Sequence, residues 1–154
     1  MSLATTLRDR LGLFARLLRL PVPPPEPPVA LGVVDGRLAP CPRWPNCVSS
    51  FATDRLHGMP PLPGRGGRDA TMARLRTILG AEPGAHVVED RGDYLRAELT
   101  TALWRFVDDV ELLWDEDAGV VHFRSASRIG RADLGTNRRR MERIVARLAE
   151  AAGT

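Results

Sequence analysis

Asp108, Ser125, Ser127, Arg128, Asp133, Asn137, Arg138 and Arg140 are the side chains in this sequence whose types and spacing suit chemistry. The pattern predicts that a strand end, a glycine-bearing turn and a helix start bring them together. Arginine forks and the free amides of a helix start both favour phosphate or carboxylate. The cluster is therefore a candidate site for a small anion. The competing reading is internal: Asp108, Asp109 and Asp133 already occupy those donors, and the network fixes a hairpin against a helix. No catalytic residue is assigned. A serine hydrolase would need Ser125 or Ser127, a histidine and Asp108, but His122 alternates to the strand face opposite Ser125. No G-x-S-x-G elbow is present.

Cys41 and Cys47 enclose five residues, including Pro42 and Pro45. They are a disulfide candidate in an oxidising compartment and a pair of structural thiols in a reducing one. A zinc site needs about four ligands, and only His57 is nearby, so no metal is expected. There is no C-x-x-C-H, and the sequence implies no cofactor.

The elements that must position these residues follow from periodicity. Residues 47–51 suit a short strand, and 52–67 are a Gly- and Pro-rich loop. Residues 68–80 read as a helix with Ala70, Met72, Ala73, Leu75, Ile78 and Leu79 inward, stopped by Gly80 and Pro83. His86–Asp90 and Asp93–Thr101 read as a hairpin turning at Arg91-Gly92, with Val88, Leu95 and Ala97 on one face. A second hairpin pairs 105–114 with 120–128, Asp115 opposing Val120. That register puts Phe106, Val110, Leu112, Trp114, Val121 and Phe123 on one face. It sets Glu111 against Arg124 on the other, solvated face, with Asp109 diagonal to Arg124 and Arg128. Asp108 falls on the apolar face near Ser125 and Ser127, where an unpaired charge would cost several kcal/mol.

The last helix, from about Thr136 to Glu150, buries Met141, Ile144, Val145 and Leu148. The order strand, helix, four strands, helix predicts an α+β fold. We expect one curved antiparallel sheet of about five strands, helices on one face, in a helix-grip-like arrangement.

The 22 basic residues are all arginine, and the net charge of +3 is carried by residues 1–20. The rest of the chain is balanced, with six acids in 108–117 and seven arginines in 128–147. A nucleic-acid binder usually shows a basic surplus on its folded body, so no nucleic-acid partner is expected.

Residues 1–20 read as an amphipathic helix, with Leu3, Leu7, Leu11, Phe14, Leu17 and Leu18 on one stripe that Arg10 interrupts. Such a helix suits a membrane surface or a protein complex, or it packs on its own domain. Arg16 and Arg19 break the only candidate signal-peptide centre, so it is read as uncleaved. Residues 21–40 read as a proline-rich linker, six prolines lying in 21–28, with Val33-Val34-Asp35-Gly36 as a short strand or turn. Residues 41–150 are the single α+β domain.

Three segments carry a family likeness: CPRWPNCVSS at 41–50, FVDDVEL at 106–112 and RSASRIGRADLGTNRRRME at 124–142. Together they resemble domain-of-unknown-function family 1499, over roughly residues 38–150. Members of that family pair a C-P-x-x-P-N-C-V-S-S start with a V-D-D-V-E strand and an R-S-A-S-R-x-G-x-x-D-x-G-x-N-R-x-R ending. The resemblance implies no established activity. It implies an envelope-associated bacterial or plastid-targeted protein, although this sequence shows no clear signal peptide.

The sequence thus points to a binding or accessory module tethered through residues 3–20, non-enzymatic, with a small anion as a candidate ligand. The alternative is an enzyme acting on a small anionic substrate at the Asp/Ser/Arg cluster. The expected location is the cytoplasmic face of a membrane, or the periplasm if the chain is exported.

Overall fold

A computed structural model describes residues 30–102 and 105–151. The expected helix over 1–20 and the prolines of 21–28 lie outside the described residues.

The order of elements is β1 (Val33–Val34), β2 (Arg37–Leu38), β3 (Cys47–Ser49), β4 (Leu62–Pro63), α1 (Gly67–Gly80), β5 (Ala85–Asp90), β6 (Tyr94–Thr100), β7 (Val107–Asp115), β8 (Val120–Ser127) and α2 (Thr136–Ala151). The fold is α+β. Its main sheet runs β3-β8-β7-β6-β5, with β4 also paired to β8, so it has six strands rather than the expected five. The additional strand, β4, lies in the stretch expected to be loop. It is two residues long and ends in Pro63, which an edge position tolerates because no ladder donor is needed there. The sheet stays open, and every pairing within it is antiparallel.

The β7–β8 register is the one the charge pattern selects: Asp115 opposes Val120, Glu111 opposes Arg124 and Asp108 opposes Ser127. Alternation then sends Val110, Leu112, Val121 and Phe123 to the helix side of the sheet. There they pack with Leu95, Ala97 and Leu99 against Met72, Leu75, Ile78 and Leu79 of α1 and Met141, Ile144 and Leu148 of α2. Buried Glu82 joins the two helices, accepting from Arg143 at 2.9 Å and Arg147 at 3.2 Å.

Four expected core positions are corrected. Val88 is exposed and Val87 faces the core, because a bulge between Val87 and Glu89 shifts the register so that Asp90 pairs with Leu95. Ala73 is exposed on α1. Val145 is exposed at the margin of α2, whose buried stripe runs through Asn137, Arg140, Met141, Ile144 and Leu148. Phe106 precedes β7 and is exposed.

The second sheet face is also covered. The β1–β2 hairpin brings Leu38 and Val33 against Tyr94, Leu113 and Phe51. The Gly32 amide donates to Glu111 Oε1 at 2.7 Å.

Candidate functional site

Six of the eight candidate residues meet between β7, β8 and the start of α2. Asp133 caps that helix: Oδ1 accepts from the Gly135 amide at 2.8 Å, and Oδ2 accepts from the Asn137 amide at 2.9 Å. This is the acid that the free amides of a helix start favour. Oδ2 also accepts from Asn137 Nδ2 at 2.7 Å, which fixes the side chain of that first-turn residue. Asn137 Nδ2 reaches Ser127 Oγ at 3.0 Å and the Asn46 carbonyl at 3.2 Å. Its Oδ1 accepts from Ser125 Oγ at 2.6 Å and from Arg140 Nη1 at 2.7 Å.

Arg140 completes the cluster. Nη1 also donates to Ser125 Oγ at 3.1 Å, and Nη2 donates to Asp108 Oδ2 at 2.6 Å. Asp108 and Arg140 are both buried. A lone charge at either place would be costly, and each supplies the other's partner. The cluster is closed: its acids and amide oxygens accept from its own donors. It ties β7 and β8 to α2 and, through Asn46, to the start of β3.

Arg128 and Arg138 do not join it. Arg128 follows Ser127, the last residue of β8, and the continued alternation sends it to the other face. There Nε donates to Asp109 Oδ2 at 2.7 Å, and Nη2 donates to Asp109 Oδ1 and Glu98. Arg96 Nη1 reaches Asp109 Oδ1 at 3.1 Å. The hydrogen bond to Asp109 first, then that to Glu98, raises the Arg128 pKa, and Arg128 in turn holds the Glu98 carboxyl below its usual range. Asp109, expected on a solvated face, is only 1% exposed. The side chains of Arg96 and Arg128 are themselves mostly buried and pair with the carboxylate, so the ion pairs cover it. Arg138 caps the 56–58 loop, donating to the Leu56 carbonyl at 2.9 Å and the Gly58 carbonyl at 3.2 Å.

The same face holds a second buried carboxylate. Glu111 accepts from the Tyr94 hydroxyl at 2.8 Å, while Arg124 Nη1 stands 3.5 Å from its other oxygen. Burial, then the Glu111 charge, pushes the Tyr94 phenol well above its usual pKa.

Cys41 and Cys47 form a disulfide. Next to it, His57 links Asp54 to the Trp44 carbonyl, at 2.9 Å and 3.1 Å.

A serine–histidine–acid line that the sequence reading missed also appears. Ser50 Oγ lies 2.9 Å from His122 Nδ1, and His122 Nε2 lies 3.4 Å from Asp115. Ser50 Oγ accepts from the Phe123 amide at 2.9 Å, and its backbone amide donates to the Phe123 carbonyl. Phe51 stacks on the His122 ring with centroids 4.0 Å apart. The set thus clasps the end of β3 to β8. Its sequence signal was the outward alternation of His122; its partner, Ser50, is distant in the chain and becomes a neighbour only through the β3–β8 pairing.

No helix among the described residues is long and apolar enough to cross a membrane. No curated protein and no solved structure matches the chain. The motifs that build the closed cluster and the disulfide loop do match a family model, that of "Protein of unknown function (DUF1499)", over residues 37–148, and the chain belongs to that family.

Proposed function

We propose that this chain is a non-enzymatic binding or accessory module, held at a membrane surface or in a protein complex by residues 3–20. The observation that carries this reading is the closed cluster. Arg140, Asn137 and Asp133 occupy one another and Asp108, so the cluster braces strand to helix and presents no spare base to an anionic substrate. An enzyme at that place would need one of these bonds to open. The tether rests on the sequence of the first 28 residues, a basic amphipathic stretch followed by a proline spacer. The helix-grip-like curl of the sheet around α2 belongs to the same reading, with Met141, Ile144 and Leu148 of that helix in the core. The Cys41–Cys47 disulfide supports placing the domain on the oxidising side of the membrane, the periplasmic alternative, over the cytoplasmic face.

Deleting residues 1–28 tests the tether. The truncated chain is expected to stay folded, with an unchanged urea midpoint. The full chain is expected to co-sediment with vesicles containing phosphatidylglycerol, or to retain a partner in a pull-down, and the truncated chain to do neither. Unfolding of the truncated chain, or a full chain that associates with nothing, sinks the reading.

A further inference from the structure

Two buried polar atoms have no hydrogen-bond partner among the described residues, and they belong to residues lining one cavity. They are Arg124 Nε and Asn46 Oδ1, each in a side chain of a residue 5% exposed. Buried polar groups are nearly always bonded, so two such atoms at one cavity call for a physical reason. Arg124 is short of acceptors in another way. Its guanidinium makes one hydrogen bond among the described residues, the 3.5 Å contact to Glu111, whose other oxygen is already held by Tyr94 and Gly32. A guanidinium carries five donors, so most of its capacity is unused.

The cavity measures about 440 Å³, within the usual range for small-molecule sites. It lies on the sheet face away from the helices, lined there by Arg124 and Ala126 of β8 and by Arg128 just after it. Pro40, Pro42, Cys41 and Trp44 give it an apolar wall that the disulfide braces. None of the described residues lining it is acidic. At its edge the guanidiniums of Arg43 and Arg131 lie over the Trp44 ring, 4.3 Å and 4.6 Å from its centroid. Neither takes part in an ion pair among the described residues.

We infer that this cavity binds a small organic anion, whose carboxylate or phosphate oxygens bond Arg124 and whose hydroxyl or N–H donates to Asn46 Oδ1. A guanidinium edge matches both oxygen groups, and the apolar wall suits an organic body rather than a bare ion. The inference rests on the reading of the chain as a binding module and names the class of its ligand. It moves the anion from the Asp108–Arg140 cluster to the opposite face of the sheet.

The test uses the full chain, labelled with 15N, and reads the Arg124 Nε–H resonance. The probes are 3-phenyllactate (carboxylate, adjacent hydroxyl and ring), inorganic phosphate, and the uncharged 3-phenylpropane-1,2-diol. Phenyllactate is expected to move the resonance saturably, and the diol to bind at least about tenfold more weakly, as the loss of one charged hydrogen bond requires. Competition by inorganic phosphate assigns the site to phosphate ligands; its failure to compete assigns it to carboxylates.

Arg124→Gln removes the donor but also a partner of Glu111. Ala39→Phe is therefore the second variant, because it narrows the cavity and leaves Arg124 in place. It is expected to weaken phenyllactate at least about tenfold with an unchanged urea midpoint. A resonance that no anion moves, a diol that binds as well as phenyllactate, or an Ala39→Phe chain that binds normally overturns the inference. Vesicle co-sedimentation of the same samples separates the two readings. If it persists while no probe binds, the cavity inference falls and the tethered module stands.

Discussion

Asp108 and Asp109 are neighbours on β7 that face opposite sides of the sheet, and both are buried. Their partners differ in a way that ranks the cost of losing each. Asp108 neutralises Arg140, which is enclosed with Ser125 and Asn137. Removing Asp108 leaves a buried guanidinium without its only charged partner among the described residues. Asp109 holds Arg96 and Arg128, whose side chains are 18% and 12% exposed and can turn outward, and Arg128 keeps Glu98. Asp108→Ala is therefore expected to cost about 3 kcal/mol or more, and Asp109→Ala about 2 kcal/mol. Urea melts of both variants measure this. Equal losses below about 1 kcal/mol would mean that neither pair is desolvated.

The elements were legible where period and charge agreed. On β7 and β8, a slip of one residue would have mixed apolar and charged groups on both faces, so the alternation through Val110, Leu112, Val121 and Phe123 selected the register. The hairpin before it was legible from its Arg91-Gly92 turn, but the inward valine was not, because Val87 and Val88 are chemically alike and nothing in the sequence marks the bulge that exchanges them. β4 was hidden for a different reason. Its two residues carry no period, and they are held by the close approach of Gly64, whose amide donates to the Gly119 carbonyl at 3.1 Å. A Cβ on Gly64 would sit 2.3 Å from that oxygen. Of the candidate site, the Asp133–Asn137–Arg140 spacing was legible as a helix start. The departure of Arg138 to a loop some eighty residues earlier was not. The Cys41–Cys47 loop is the element that sequence left open between bond and thiols. Closing so short a loop is expected to contribute about 2 kcal/mol through the unfolded chain. Reduction with a phosphine should lower the urea-derived stability by that amount, and an unchanged midpoint would show that the apolar wall holds without the bond.

At the scale of the whole molecule, the charged groups are sorted to the two faces and ends of one open sheet, which is how a nearly neutral body carries so many arginines. Several carboxyls in these pairs titrate below their ordinary values. Glu98 is lowered from 4.5 chiefly by its hydrogen bond to Arg128, and Asp90 from 3.8 chiefly by its bond to Arg76. Asp115 is lowered from 3.8 chiefly by the Ala118 amide, and Asp54 from 3.8 chiefly by the His57 amide. A carboxyl with a depressed folded pKa binds fewer protons folded than unfolded in this range, so stability rises with pH there. The contribution is complete above the unfolded values and is lost as pH falls through the lower folded ones. Because these groups are about a third to a half exposed, each effect is screened and small, and the sum is what a melt can detect. The urea midpoint is expected to be level from pH 8 down to about 5.5, and then to fall progressively as pH drops from about 4.5 towards 3. Two of these contacts join separate elements, Glu98 on β6 to Arg128 after β8 and Asp90 on β5 to Arg76 on α1, while Asp115 and Asp54 hold the local turns at Ala118 and His57. Fluorescence of the tryptophans and far-ultraviolet dichroism should consequently lose signal together in the acid series. A midpoint that stays level to pH 3, or that rises, would show that these carboxylate contacts contribute nothing to the folded state.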